Sequence, residues 1–508
     1  MDSARVAALR SDLGAARFTV ESLTQRWGAV ADAALLRGDR VPARRALAGN
    51  DDPAAVLARL FVLGLPEKEA AVARALPALG IGGARDLQLI THAGGLVHPL
   101  LDLRPYAFLD ARGAGEWFIA SDLGELATGA ALRTDHVLGV GGASITLSGL
   151  IMPGRVATAL DLGTGCGIQA LHLAREAEHV VATDISERAL EFARLNAALN
   201  GVTSIEFRQG SFFEPVAGER FERIVSNPPF VITPRVEVVP EYEYRDGGAV
   251  GDAVVEQLVA AMPEYLEPGG IAQLLGNWED RGVTAGLDRA GRWAADAGLD
   301  AWIIERESVD TARYAETWIR DGGTRPDSSD TGAASYEQLV GAWLDDFASR
   351  DVTRIGFGYL TLRRPPTSGK PTLTRLEKVD APLDSAAGGL GAHLALTLAA
   401  IDAQASLDAD ELDALHLAVA SDVTEERSHW PGAADPSVIL LRQGGGLRRE
   451  MQVGTALAAV VGACDGELSL GAITGAVASI LDVDRQELAD ECRPQVREMI
   501  STGFLLIE

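Results

Sequence analysis

VATALDLGTGCG (156–167), followed by HVVATD (179–184), is the stretch that decides the fold. An apolar run ending at Asp161-Leu162 enters a turn with glycine at 163, 165 and 167, and a helical pattern follows. Alternate glycines let the backbone turn tightly and let a ligand approach it closely. The helix start behind them presents free N–H groups. A glycine-rich turn alone says little, because dinucleotide-binding folds carry similar ones. Here the spacing is GxGxG, whereas a pyrophosphate clamp needs GxGxxG. Val180-Val181-Ala182-Thr183 reads as a second strand that ends on Asp184, 21 residues after Gly163. An acid at the end of that strand can accept both hydroxyls of a ribose.

Outward from this turn, strand and helix patterns alternate. Helices are expected near 167–177, 187–199, 251–266, 283–297 and 336–349. Between them lie the strand-like runs SIEFRQG, FERIVS, GGIAQLLGN, LDAWIIERE and RIGFGYLTLRR. That alternation argues for an α/β fold with a parallel sheet covered on both faces. RDGGTRPDSSDTGAAS (320–335) reads as a mobile loop, and RRPPTSGKP (363–371) as a boundary. The chain therefore divides into a helical N-terminal domain (1–92), a short strand-rich connector (93–136), the α/β domain (137–366) and a mostly helical C-terminal module (372–508). The helix rhythm of the last module resembles that of a winged helix.

Composition removes several function classes. The 508 residues are 47% hydrophobic and 23% charged, an ordinary globular balance with length for about three domains. No uncharged apolar run of about 18 residues occurs, so a membrane span is not expected. The N-terminus lacks a signal-peptide core, and a soluble cytoplasmic protein is expected. Three cysteines (Cys166, Cys464, Cys492) without a CxxC pair give no disulfide framework and no thiolate zinc site. Eight histidines show neither HxH nor HExxH spacing, so no metal is expected. A net charge of −27 repels phosphate backbones. Residues 1–50 run the other way, with eight arginines against five acids. They read as a solvated helical face, the alternative being a docking surface for RNA or a ribosomal partner.

The second motif is Ile224-Val225-Ser226-Asn227-Pro228-Pro229-Phe230, at the end of the expected fourth strand. Consecutive prolines fix φ and remove two N–H donors, leaving a rigid corner with carbonyls to spare. The Asn227 side-chain oxygen and the Pro228 carbonyl can together accept both hydrogens of a planar NH2 group. They would hold its nitrogen toward an electrophile, with Phe230 stacking on the flat amide or base, or packing over it. Such catalysis is positioning and electrostatics.

The two motifs, 64 residues apart with the acid between them, resemble the class I S-adenosylmethionine-dependent methyltransferases that carry an N/D-P-P-Y/F corner. The resemblance covers about residues 137–364 and implies a Rossmann-like seven-stranded sheet with S-adenosyl-L-methionine as cofactor. It assigns Asp161, Gly163, Thr164, Gly165 and Gly167 to the methionine end of the cofactor. Asp184 would bind the ribose, and Ile185 would lie beside the adenine. Ser211 stands where relatives usually place an acid or Asn against the adenine amine, a departure from the pattern. Asn227, Pro228, Pro229 and Phe230 would form the acceptor slot, and the loop Val137–Ser144 would lie over the cofactor.

This branch methylates planar nitrogens of glutamine side chains in release factors and other proteins, of adenine N6 and of guanine N2. The order of a helical N-terminal region, a short strand pair and a catalytic domain resembles release-factor methyltransferases. The expected substrate is therefore a protein glutamine. The alternatives are an exocyclic amine in rRNA or DNA, and a non-catalytic binding protein that kept the fold. Glu237, Glu241, Tyr242, Glu243, Tyr244 and Arg245 would line the substrate entrance or form a solvated loop. Cys166 reads as a small filler, and His172 and His179 as packing or surface residues.

Overall fold

The computed structural model describes residues 2–128, 133–324, 335–366, 371–380, 383 and 389–508. The apolar runs of the central region become strands: Val156–Leu162 (β1), Ala177–Asp184 (β2), Ile205–Gln209 (β3), Phe221–Ser226 (β4), Leu266–Arg281 (β5), Asp300–Asp310 (β6) and Val352–Arg363 (β7). Thr374–Lys378 adds an eighth (β8), and the sheet order is β8-β6-β7-β5-β4-β1-β2-β3. β1 to β5 run parallel. β7 is antiparallel to both β5 and β6. The seven expected strands thus form, with β8 as a parallel addition on β6.

β8 lies beyond residue 366, where the α/β domain was expected to end. Its charged sequence TRLEK has no alternating pattern, so nothing local marks it as a strand. Its place comes from Asp300, which accepts the N–H groups of Thr372 (2.6 Å) and Leu373 (3.0 Å) and pairs with Arg363. An exposed sheet edge carries unpaired backbone groups, and a short charged strand is one way to cover it.

Helices Gly142–Leu150 (α1), Ile168–Leu173 (α2), Glu187–Leu199 (α3), Ala253–Tyr265 (α4), Gly286–Asp296 (α5), Thr311–Asp321 (α6) and Tyr336–Ser349 (α7) accompany the strands. α7 begins at a reciprocal cap in which Ser335 and Gln338 satisfy each other's backbone N–H groups. α6 has no counterpart among the expected helices, and it takes up the first two residues of the loop read at 320–335. Residues 325–334 of that loop lie outside the described residues, as do 367–370 of the expected boundary.

Six helices between Ser3 and Asp86 and a π-helical turn at Ala58–Val62 make the N-terminal region, followed by a strand pair at Ile90–Ala93 and Leu96–Pro99. Its core does not close on itself at residue 92. Leu9, Leu13, Phe18, Leu57 and Phe61 belong to one buried cluster with Leu171 of α2 and Phe192 and Leu195 of α3. α3 also reaches the strand Gly113–Ser121 by amide side chains. Asn196 Oδ1 accepts from Ala120 N–H at 2.7 Å and its Nδ2 donates to the Ala120 carbonyl, and Asn200 treats Phe118 the same way. Two side-chain amides thus satisfy backbone groups as a neighbouring strand would.

The second compact unit holds residues 381–508 with the short stretches 109–113 and 149–153. Its helices are Gly389–Gln404, Ala409–Asp413, Thr455–Gly462, Leu470–Leu481 and Arg485–Thr502. Two three-stranded sheets accompany these helices. Val438–Gln443, whose residues alternate between half-buried and buried, is one of their strands.

Candidate functional site

At the carboxyl end of β1 the turn 163–167 has left-handed backbone at all three glycines, φ 76°, 53° and 86°. Their roles differ. A Cβ on Gly163 or Gly165 would meet nothing within 4 Å, whereas one on Gly167 would sit 3.0 Å from Ala193 Cα. The first two glycines therefore face open space and the third lets α2 pack against α3. The Gly163 and Thr164 N–H groups bond the Thr183 carbonyl at 3.0 and 2.8 Å, which fixes the turn to the end of β2.

Asp161 sits behind this turn, fully buried. Its Oδ2 accepts from the Thr164 hydroxyl (2.5 Å) and Ala170 N–H (2.8 Å), while its Oδ1 has no hydrogen-bond partner. Burial pushes its carboxyl up to about 7, against the pull of those two hydrogen bonds. Asp184 lies at the end of β2. One oxygen accepts from Gly165 N–H and the other from Ser186 N–H, both at 2.9 Å. Burial raises its carboxyl too, and the N–H groups of Ser186 and Gly165 oppose that shift.

These groups open on a cavity of about 490 Å³, a volume usual for small-molecule sites. Gly163, Thr164, Gly165, Asp184, Ile185, Ser211, Asn227, Pro228 and Pro229 all line it. Nine expected site residues from the ends of β1, β2, β3 and β4 are thus brought to one place. Asp161 and Gly167 lie behind the lining. Phe230 is not in the wall either; it is half-buried and packs into the apolar clusters beside α4 and α6. The Asn227 Oδ1 is buried and has no hydrogen-bond partner. Such an orphaned acceptor costs about 1–3 kcal/mol unless a donor meets it.

Sequence reasoning missed part of the wall. Val137, Leu138, Gly139 and Gly141–Ser144 of the expected covering loop line the cavity, and so do Asp135 and His136 just before it. Burial lowers the His136 imidazole, against the nearby Asp122 carboxylate. Of the segment after the corner, Glu243, Tyr244, Asp246 and Gly247 reach the cavity. Tyr242 and Arg245 do not. Arg245 is buried and pairs with the Trp318 carbonyl and Asp321, both at 2.9 Å. Glu237 and Glu241 are exposed. Gln169 also faces the cavity; its Nε2 donates to the Ser144 carbonyl at 2.8 Å and its buried Oε1 is unpaired. No periodicity or spacing marks Gln169, because it is an ordinary polar residue in a helix.

The family model described as the methyltransferase small domain matches residues 141–283. Residues 141–283 are thus similar to the methyltransferase small domain. On either side, residues 15–100 and 401–507 match models described only as domains of unknown function. A release factor glutamine methyltransferase of Geobacter sulfurreducens is 42% identical over 123 residues, 22% of this chain and 43% of that protein. A ribosomal protein uL3 glutamine methyltransferase of Bordetella pertussis is 34% identical over 172 residues, 31% of this chain and 57% of that protein. This chain spans about half the length of the curated relatives it matches. Among solved structures, a ribosomal protein L11 methylase of Lactobacillus delbrueckii is 18% identical, covering 47% of this chain and 83% of that chain with a TM-score of 0.26.

The residues that line the cavity include four carboxylates, Asp135, Asp184, Glu243 and Asp246. No Lys or Arg is found among the described lining residues. Among the described residues no group of three His, Cys, Asp or Glu is placed to hold a metal ion. No described helix is long and apolar enough to cross a membrane.

Proposed function

We propose that the protein is an S-adenosyl-L-methionine-dependent N-methyltransferase acting on the side-chain amide of a protein glutamine. The observation that carries this reading is the buried, unpaired Asn227 Oδ1 in the wall of the cavity that also holds the Gly163–Gly165 turn and Asp184. The residues fit the cofactor in kind. Asp184 offers carboxylate oxygens to ribose hydroxyls, and the open faces of Gly163 and Gly165 leave room for close approach. Asp161 lies behind the lining and holds the turn through Thr164 and Ala170. When bound, S-adenosyl-L-methionine supplies a sulfonium-held methyl group.

The chain's own contribution is positioning. Asn227 Oδ1 and the Pro228 carbonyl accept the two N–H bonds of the acceptor amide, so its nitrogen faces the methyl carbon. The double proline keeps both oxygens in place without a reorganisation cost during transfer. The N–C bond would form as the sulfur–carbon bond breaks and the displaced N–H proton would leave to solvent, so no covalent intermediate is needed.

Two observations favour a protein over a nucleic acid. The chain carries a net charge of −27, and the lining has four carboxylates and no described cation to meet a phosphate. The names of the relatives from Geobacter sulfurreducens and Bordetella pertussis, both glutamine methyltransferases, support the same substrate class. The test supplies methyl-labelled cofactor and purified protein to a lysate from a strain lacking this protein. Protease-sensitive label is expected, recovered as N5-methylglutamine after complete enzymatic proteolysis and as methylamine after acid hydrolysis. RNase-sensitive label would assign the nucleobase reading instead.

A further inference from the structure

Segment 242–247 lies directly against the acceptor corner. Phe230 and Asp246 pair as an antiparallel bridge. Val231 donates its N–H to the Arg245 carbonyl at 3.0 Å. Gly247 is so close to the corner that a Cβ there would stand 2.7 Å from the Pro229 carbonyl oxygen. The loop that leaves the NPPF corner therefore returns and packs directly against the corner.

One carboxylate fastens both arms of that loop. On the outgoing arm the Thr233 hydroxyl donates to Asp246 Oδ1, and on the returning arm Tyr242 donates its N–H to Asp246 Oδ2 at 2.6 Å. The Asp246 side chain is almost completely buried at the cavity wall, and the Arg245 guanidinium lies 3.7 Å from it. A buried carboxylate that meets two donors and a cation is satisfied, and it makes stronger hydrogen bonds than a neutral acceptor. The segment Arg245-Asp246-Gly247-Gly248 resembles the corresponding loop of amide- and guanine-methylating enzymes, but that resemblance gives Asp246 itself no role.

We propose that Asp246 is a positioning residue for methyl transfer: by holding the arms at Thr233 and Tyr242 together it keeps the Asn227 and Pro228 oxygens directed at the acceptor nitrogen. This rests on the transferase reading of the same cavity. Asp246 acts through the corner and not on the reacting atoms, so its loss lowers the rate of transfer and spares the cofactor end. The turn that serves the cofactor is fixed separately, by Thr183 and Asp184 at the end of β2.

The test compares Asp246→Ala, Asp246→Asn and Thr233→Val by initial rate of label transfer at saturating cofactor and by calorimetric affinity for S-adenosylhomocysteine. A corner displaced by a fraction of an ångström predicts a rate loss of about tenfold or more in Asp246→Ala, with cofactor-product affinity unchanged. Asn can accept from Tyr242 N–H with its oxygen and donate to the Thr233 hydroxyl with its nitrogen. Asp246→Asn is therefore expected to recover most of the rate. Thr233→Val, which keeps the shape and removes one bond, is expected to fall between wild type and Asp246→Ala and covers the case in which Asp246→Ala does not fold. A full rate in Asp246→Ala, or in Thr233→Val should Asp246→Ala not fold, overturns the proposal. So does a rate loss matched by an equal loss of affinity. A wild-type protein that binds S-adenosylhomocysteine but labels nothing would refute the transferase reading, a result distinguishable from either of these.

Discussion

Gly247→Ala adds one methyl group at the tightest point against the acceptor corner. The new Cβ would stand 2.7 Å from the Pro229 carbonyl oxygen and 2.4 Å from Val254 Cγ2. Carbon–oxygen contacts are comfortable at about 3.3 Å, so the oxygen must move away by roughly 0.6 Å or the loop must retreat by as much. Val254 yields little, because its χ1 is stiff and it is buried on α4. A misplacement of about 1 Å in a catalytic site costs on the order of a hundredfold in rate, so a shift of about half that size predicts a loss of about tenfold. Overpacking of this kind also costs about 1–3 kcal/mol of stability.

Gly248→Ala is the matched control. Its φ of +78° makes any side chain strained, yet a Cβ there meets nothing within 4 Å. It is expected to lose about 1–2 kcal/mol of stability from the left-handed backbone alone, with a near wild-type rate. Thermal melts, calorimetric titration with S-adenosylhomocysteine and initial rates of label transfer separate the outcomes. The reasoning is refuted if Gly247→Ala transfers methyl at the wild-type rate, or if the two variants lose rate equally.

Asn227→Ala is expected to abolish transfer while leaving S-adenosylhomocysteine affinity nearly intact; a fully active variant would remove the acceptor model. Asp184→Ala should weaken that affinity at least about tenfold, near 1.4 kcal/mol, and unchanged calorimetry would remove the ribose assignment. Gly167→Ala combines a φ of +86° with a 3.0 Å approach to Ala193, and is expected to lower the melting temperature by several degrees. The Asp161 carboxyl is raised on folding from 3.8 to about 7. Its protonated form is the one folding favours, so its contribution to ligand-free stability is complete below the lower value and is lost as pH rises to the upper one. Urea melts across that range should show the decline in wild type and a flatter profile in Asp161→Asn; parallel curves would contradict it.

Much of the site was legible because its chemistry is local. The GxGxG turn, the acid ending β2 and the NPPF corner are each defined by a few adjacent residues whose backbone needs are set by glycine and proline. Phe230 stands outside the cavity wall for the opposite reason. Its direction is set by the bridge to Asp246 and by apolar clusters beside α4 and α6, none adjacent in sequence. Gln169 and His136 carried no motif at all, and Asp246 only its place in the Arg245–Gly248 segment. Their place at the cavity follows from where Ser144, Tyr244, Thr233 and Tyr242 arrive in space.

The same division holds for the fold. Apolar strands alternating with amphipathic helices determined the parallel strands β1 to β5, because both faces must be covered and the periodicity records which residues do so; the antiparallel β7 was not marked by that pattern. The charged strand Thr374–Lys378 was set instead by the open edge of β6 and by Asp300. The N-terminal helices likewise share a core with α2 and α3, a fact no helical pattern announces. By itself the sequence determined which backbone turns are made and which chemical groups they carry. The tertiary structure decided which distant residues hold those groups still, since long-range packing and buried hydrogen bonds leave no period in the chain.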